Sequence, residues 1–536
     1  MTENIGDLCS DQTRAPGKRD RIGLRLVQPT GSVCEFRFGE LDALSNRFAN
    51  VLKDLEQGPG KIVALLLPKC AEVFYGLLGI LKLRSVVLPL FANFGALGLI
   101  DRLADAGASC VISKRSLLPR LQGIRSQLPS LRTILLIDSD ADIGPDILSL
   151  PSRMRNASDV FPSFAVEADT PSIVHYTSGS TGKPKGVLHV HGAVDYLRCT
   201  AEEILQLRDD DIYWCTADHG WITGTSYGLI APWLLGVTQV QFIGAFDPDA
   251  WFRVLQDQHV TVWYTAPTAL RMLMRADDVD FRGYDISRLR SIFSVGEPLN
   301  PEINRWAGKV LGREVHDTWF QTETGGIMIA NRPGLAVKLG SMGKPVSSVH
   351  AEVVDDSGQS CSPGVVGRLC LRYPWSSMFR DYLNRTDAYR AKFSRDLYDS
   401  GDLAYRDADG YFWFAARADD VINTSGHLVS PFEIESCLLE LPEVAESGAV
   451  GVPDPILFEK IVVFVSLRQG VIPDENLGLK IRLHVAHRLS AVATPQDVMF
   501  VDNLPKNKSG KILRRVLRAR YLGQDPGDVS TLEDQP

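Results

Sequence analysis

Short apolar runs alternate with longer amphipathic stretches through most of this chain, and that alternation restricts its fold more than any other feature. Ile62 to Leu67 reads as a buried strand, and Ala71 to Leu83 as the helix after it. Cys110-Val111-Ile112, Thr133 to Ile137, Val260 to Tyr264 and Leu289 to Val295 repeat the strand theme. Strands separated by helices predict parallel sheet in an α/β architecture. A length of 536 residues exceeds one core and predicts two or three domains. From about Ala351 the texture changes to short strands with Asp and Gly turns, which predicts a smaller, partly antiparallel unit. A last segment from about Asp420 mixes helices and strands again and ends in a basic run from Lys506 to Arg520.

Several function classes are disfavoured at once. A net charge of −8 argues against a dedicated nucleic-acid binder, which carries a basic surface. The most apolar stretch, Ser85 to Ile100, contains Pro89 and Asn93 and is shorter than the roughly 20 residues of a membrane helix. A buried strand, turn and helix is expected there. The first thirty residues have no apolar run of the signal-peptide kind. Nine scattered cysteines without a C-x-x-C pair fit reduced thiols, and a cytoplasmic location is expected.

The most specific local signal is Tyr176-Thr177-Ser178-Gly179-Ser180-Thr181-Gly182-Lys183-Pro184-Lys185-Gly186, directly after the apolar Ser172-Ile173-Val174. Glycine lets the backbone turn its N–H groups toward an anion, and hydroxyls and lysines add donors and positive charge. The segment is therefore suited to a polyphosphate. It is not a Walker loop: Gly179 and Gly182 lie too close together, and Lys183 is followed by proline. In its ordered form it resembles the signature loop of the acyl-adenylate-forming superfamily of AMP-dependent synthetases and ligases.

Six further stretches resemble that superfamily, in order and over nearly the whole chain. Ser294-Val295-Gly296-Glu297-Pro298 ends an apolar strand in a rigid turn, where α/β sheets bind ligands; the resemblance makes it part of an adenine pocket. Asp317-Thr318-Trp319-Phe320-Gln321-Thr322-Glu323-Thr324-Gly325-Gly326 combines donors, a flat ring and a carboxylate. By resemblance it serves adenine, phosphates and Mg²⁺, with Glu323 the metal ligand; magnesium bound with ATP needs only one or two protein carboxylates. Asp402, in Tyr398-Asp399-Ser400-Gly401-Asp402, and Arg417 match ribose contacts, and Asp419 matches a hinge between domains. Lys511, in Pro505-Lys506-Asn507-Lys508-Ser509-Gly510-Lys511, matches the adenylation lysine. A cation there stabilises the approach of a carboxylate to the α-phosphate. Asp218-His219-Gly220-Trp221-Ile222-Thr223-Gly224 resembles an acyl-pocket segment, and Thr424-Ser425-Gly426-His427 a loop that forms the thiol tunnel.

The resemblance implies a large N-terminal domain over residues 1–418, holding parallel and mixed sheets and the β-rich unit. A small mobile α+β domain over 419–536 completes the chain. It implies ATP, Mg²⁺ and coenzyme A as partners of a carboxylate substrate, with Thr177 to Lys183, Gly296 to Pro298, Asp317 to Thr322, Asp402 and Arg417 on the nucleotide. Coenzyme A falls to Thr223, Ser425 and Gly426. Trp221, Ile222, Thr223, Val295 and Phe320 line the acyl pocket. The branch most resembled is that of short-chain acyl-CoA synthetases, acetyl-CoA synthetase among them. No acidic counterpart for an α-ammonium is found in the pocket, which favours a simple acid. Acetate-specific members carry a second tryptophan where this chain has Phe320, and the smaller ring leaves space for propionate or butyrate, at about 0.8 kcal/mol per buried CH₂. The Pro-x₄-Gly-Lys pattern ending at Lys511 is acetylated in related synthetases, which implies control by a lysine acetyltransferase and deacetylase. A homo-oligomer is compatible with this reading.

The chain departs from the pattern at three places. Leu428 stands where the superfamily has a phosphate-touching arginine, Ser430 where it has glycine, and Ala416 where a glycine precedes Arg417. Two alternatives stay open: a ligase that loads a carrier-protein phosphopantetheine, and a nucleotide- or acyl-binding relative with impaired turnover.

Overall fold

The computed structural model describes residues 3–10, 17–177, 184–276, 279–425, 427–507, 511–527, 529 and 532, without the side chain of Leu428. The alternating apolar runs become two sheets of mainly parallel strands. In the first, Ile62–Leu67 lies between Val86–Phe91 and Cys110–Ser113, all parallel, followed outward by Thr133–Leu136 and Ile147–Ser149. On its other side Pro171–Thr177 joins parallel, and Lys185–Val190 and Asp381–Tyr382 then pair antiparallel. The helix Ala71–Lys82 follows the first of these strands, and Ala96–Ala106 follows Val86–Phe91, as the strand–turn–helix reading expects.

The second sheet runs Lys344–Pro345, Ile329–Ala330, Val315–Trp319, Ser291–Val295, Val262–Thr265, Ile212–Cys215, Thr238–Phe242, Ile22–Val27 and Val33–Arg37. Its middle six strands are parallel. The strands that are buried on both faces read as continuous apolar runs because helices cover each side. The β-rich unit is a third sheet, built antiparallel from Ala351–Val354, Gly367–Arg372, Phe393–Ser394, Leu397–Arg406 and Phe412–Arg417. One apolar cluster, from Ile5 to Phe412, joins residues of all three sheets.

A fourth sheet comprises Ile422–Thr424, His427–Val429, Val444–Asp454, Phe458–Leu467 and Asp497–Phe500, with helices Pro431–Leu438, Glu475–Arg488 and Arg514–Leu522. Its two buried clusters contain only residues from Ile422 onward. The molecule is thus a large N-terminal α/β domain followed by a smaller C-terminal one. Among the described residues no helix is long and apolar enough to cross a membrane.

Candidate active site

The carboxyl ends of the parallel strands carry most of the expected residues, which is where open α/β sheets bind ligands. Ser291–Val295 and Val315–Trp319 are neighbours, so Ser294 stands opposite Asp317 and its hydroxyl donates to Asp317 Oδ1 at 2.8 Å. Burial raises the Asp317 carboxyl to about 7 against that bond and backbone N–H donors. Beyond the first strand Gly296 turns at φ +92°, a conformation glycine adopts without strain. Glu297 is fixed by Arg271 at 2.5 Å and by the Thr268 hydroxyl at 2.5 Å. The Thr318 hydroxyl is engaged inside the sheet, with Tyr264 OH at 2.7 Å and Ser294 O at 2.7 Å.

Two separated segments converge on the carboxylate of a third. Trp319 Nε1 donates to Asp402 Oδ2 at 3.0 Å and Gln321 Nε2 to the same oxygen at 3.1 Å. Arg417 Nη1 donates to Asp402 Oδ1 at 3.0 Å across the strand pair that sets Asp402 opposite Arg417. Tyr398 OH in turn donates to Gln321 Oε1 at 2.9 Å. Burial raises the Asp402 carboxyl, while Arg417, the Trp319 N–H and the Lys511 charge oppose that rise. Arg417 reaches Asp419 as well, Nε to Oδ1 at 3.3 Å.

Lys511 comes from the small domain and faces this group. It is exposed overall, yet protein packed round its ammonium lowers its pKa, Arg417 and Arg514 lower it further, and Asp420 and Asp402 oppose them. Asp420 is itself bridged by Arg514 at 3.4 Å. The seam between the domains carries two polar contacts, Arg275 with Glu446 at 3.4 Å and the Ser430 hydroxyl donating to Ala415 O, beside an edge-on packing of Phe414 on Phe432 at 6.0 Å. Ser430 also accepts from Glu433 N at 3.3 Å and so caps the helix Pro431–Leu438, a role glycine could not fill with a side chain.

Glu323 lies half-buried beside this group, with Tyr382 OH donating to its Oε1 at 2.7 Å. Behind it the chain is tight: a Cβ on Gly325 (φ +76°) would meet Ser377 O at 2.0 Å. Thr177 ends its strand opposite Lys185. Ser178, Gly179, Ser180, Thr181, Gly182, Lys183 and Gly426 lie outside the described residues.

The expected acyl-pocket residues come from the same sheet ends. Val295 closes its strand, and Phe320 follows Val315–Trp319. Trp221 precedes the short helix Ile222–Thr225 that follows strand Ile212–Cys215, and its ring stands edge-on to Phe91 of the first sheet at 5.1 Å. Ile222, Thr223 and Val295 are buried. A Cβ on Gly220 would come within 2.9 Å of the Phe91 ring, so glycine is required for this approach of the two sheets. Phe320 is backed by Tyr227 at 5.5 Å. Tyr227 sits in a π-helical turn, Ser226–Ile230, and its hydroxyl is pinned by Ile327 N at 2.8 Å and Thr200 Oγ1 at 2.7 Å. Of the thiol-tunnel residues, Ser425 is exposed at φ +52°, its N–H on Leu457 O at 2.7 Å.

Comparison with known proteins decides what family carries this arrangement. Residues 13–383 match the AMP-binding enzyme family, and residues 433–511 match the AMP-binding enzyme C-terminal domain. The chain belongs to the AMP-binding enzyme family. It is 43% identical over 504 residues to acetyl-coenzyme A synthetase of Bacillus subtilis (strain 168), covering 93% of this chain and 87% of that one. It is 39% identical to acetyl-coenzyme A synthetase of Pyrobaculum aerophilum (strain ATCC 51768 / DSM 7523 / JCM 9630 / CIP 104966 / NBRC 100827 / IM2), over 91% of this chain and 78% of that one. Among solved structures, the anthranilate CoA ligase AuaEII in complex with anthranoyl-AMP superposes with a TM-score of 0.89 at 29% identity, over 97% of each chain.

As a member of the AMP-binding enzyme family, the chain is expected to hold magnesium with its nucleotide. No cluster of three or more His, Cys, Asp or Glu that could hold a metal alone occurs among the described residues. A single half-buried carboxylate, Glu323, fits the case in which phosphates and water complete the octahedron. Tyr382 binds it through a neutral hydroxyl, and no Lys or Arg among the described residues forms an ion pair with it. Tyr382, Tyr398 and Arg271 were not read as site residues from sequence. Tyr398 adjoins the Asp399-Ser400-Gly401-Asp402 run, a usable signal; Tyr382 and Arg271 have none, since their partners lie 59 and 26 positions away.

Proposed function

We propose that the protein is an AMP-forming acid–CoA ligase acting on a short-chain carboxylic acid such as acetate or propionate. In the first half-reaction a carboxylate oxygen attacks the α-phosphate of ATP, forming the acyl-adenylate and releasing pyrophosphate. In the second, the thiol of coenzyme A attacks the acyl carbonyl, forms the thioester and expels AMP. Magnesium, held through Glu323, screens phosphate charge when bound.

The observation that carries the reading is the convergence of Trp319, Gln321 and Arg417 on the buried Asp402 carboxylate, with Lys511 of the small domain within electrostatic reach of it. A cation delivered there can sit between two anions that must approach. Asp402 and Arg417 are assigned to the ribose hydroxyls, and Asp317, Gly296, Glu297, Pro298, Trp319 and Phe320 to the adenine end. Thr177 and the segment from Ser178 to Lys183 are assigned to the phosphates, with Thr318, Gln321 and Thr322 beside them. Trp221, Ile222, Thr223, Val295 and Phe320 form the acyl pocket, and Thr223, Ser425 and Gly426 the path of the thiol. The domains divide at 418/419, and rotation about Asp419 exchanges Lys511 for Ser425 between the half-reactions. The polar contacts of the seam support this, because charged and hydroxyl contacts exchange for water at little cost. Acetylation of Lys511 by a lysine acetyltransferase, reversed by a deacetylase, removes its charge and blocks adenylation. The protein is assigned to the cytoplasm.

CoA-dependent AMP release from ATP, measured across acetate, propionate, butyrate, isobutyrate and benzoate, tests the assignment. Strong turnover with one short acid is expected, and none with any acid overturns it. Because Tyr227 is pinned behind Phe320, an indole at that position projects into the pocket. Phe320→Trp is expected to shift kcat/KM toward acetate over propionate by about fourfold, the worth of one CH₂; an unchanged ratio removes Phe320 from the pocket.

A further inference from the structure

The segment Ser377–Arg385 touches both the carboxylate assigned to magnesium and the exit of the glycine-rich segment. On one side, Phe379 N donates to Glu323 O at 3.0 Å and Tyr382 OH to Glu323 Oε1 at 2.7 Å. Glu323 is therefore held by backbone and side chain from one short stretch. On the other side, Tyr382 pairs with Val187, Leu383 N donates to Gly186 O at 2.8 Å, and Arg385 Nη1 donates to Pro184 O at 3.0 Å. The Lys185 ammonium stands 5.3 Å from the centre of the Tyr382 ring. Tyr382 is fully buried, and its ring packs edge-on against Phe379 at 4.9 Å. The hydroxyl is thus aimed by a ring that has no room to swing.

We propose that Tyr382 is a positioning residue for nucleotide-bound magnesium: its hydroxyl fixes the rotation of the Glu323 carboxylate relative to the strand Lys185–Val190. The proposal rests on the reading of Glu323 as the metal-holding carboxylate. Magnesium demands near-ideal octahedral geometry, so a carboxylate free to rotate holds it less well. Outer partners of metal ligands typically contribute 10- to 100-fold in metal affinity. The neutral hydroxyl suits this task because it orients the carboxylate without neutralising it.

Calorimetric titration of the full chain with MgATP, and with ATP in excess EDTA, tests the assignment without relying on turnover. Tyr382→Phe keeps the ring and its packing, and is expected to weaken MgATP about tenfold while leaving metal-free ATP unchanged. Glu323→Gln is expected to give the same selective loss, and the double variant no more than the larger single loss, because Tyr382 acts through Glu323. Phe379→Leu loosens the packing but keeps the hydroxyl, and is expected to give a smaller selective loss than Tyr382→Phe. Equal losses for MgATP and ATP in Tyr382→Phe, or additive losses in the double variant, would each overturn the proposal. If Glu323→Gln itself shows no selective loss, the metal reading of Glu323 fails first and is identified as the cause.

Discussion

The nucleotide wall of the large domain and the seam with the small domain both carry polar contacts, but they are built on opposite principles. In the wall, Asp402 is buried and receives three donors from two segments, two of the donors uncharged. Removing one partner leaves a buried carboxylate short of a bond, which is costly, so the wall is rigid. In the seam, Arg275 meets Glu446 only at 3.4 Å, while Glu446 keeps Lys506 at 2.6 Å within its own domain. Parting the domains strips Arg275 of Glu446 and leaves that acid paired. The difference teaches where the proposed motion would fall: fixed hydrogen bonds hold the Asp402 wall, and a replaceable ion pair joins the small domain to the large one.

Three variants bear on that contrast. Lys511→Ala should have the largest effect, slowing ATP-dependent adenylate formation by about 10²–10³-fold. Thioester formation from supplied acyl-adenylate should stay near the wild-type rate; equal loss of both would mean that the lysine serves no separate orientation. Asp402→Asn should raise the KM for ATP by about 10- to 100-fold, the worth of hydrogen bonds to a charged group. An unchanged KM would show that the wall does not hold the nucleotide. Arg275→Met, at the seam, should reduce adenylation by no more than about fivefold, as for a partly exposed ion pair. Thioesterification measured in parallel should not fall. A loss as large as that of Asp402→Asn would make the seam as rigid as the wall.

Much of the frame was legible in the sequence, for a physical reason. Ile62–Leu67 and Cys110–Ser113 are covered on both faces, so their apolar runs are continuous and stand out. The return strands Lys185–Val190 and Asp381–Tyr382 carry mixed polarity, one of them only two residues long, and were not anticipated. Site residues that sit in one compact run, such as Trp319, Gln321 and Glu323, were found together. The pairing of Trp319 and Gln321 with Asp402 depends on a strand some eighty positions later and on a register that no local pattern encodes. Ser430 marks another limit. Against the family pattern it reads as a lost glycine, whereas in the fold it is a helix cap.

That cap has a mechanical consequence. The Ser430 hydroxyl uses its oxygen to hold the first turn of Pro431–Leu438 and its proton to touch Ala415 across the seam. Only the second of these bonds belongs to the joint. In the proposed rotation of the small domain, that proton can pass to water while the oxygen goes on holding its helix. The part therefore behaves like a bearing race, whose own shape does not depend on what it rolls against, and repeated motion need not fray the helix that it caps.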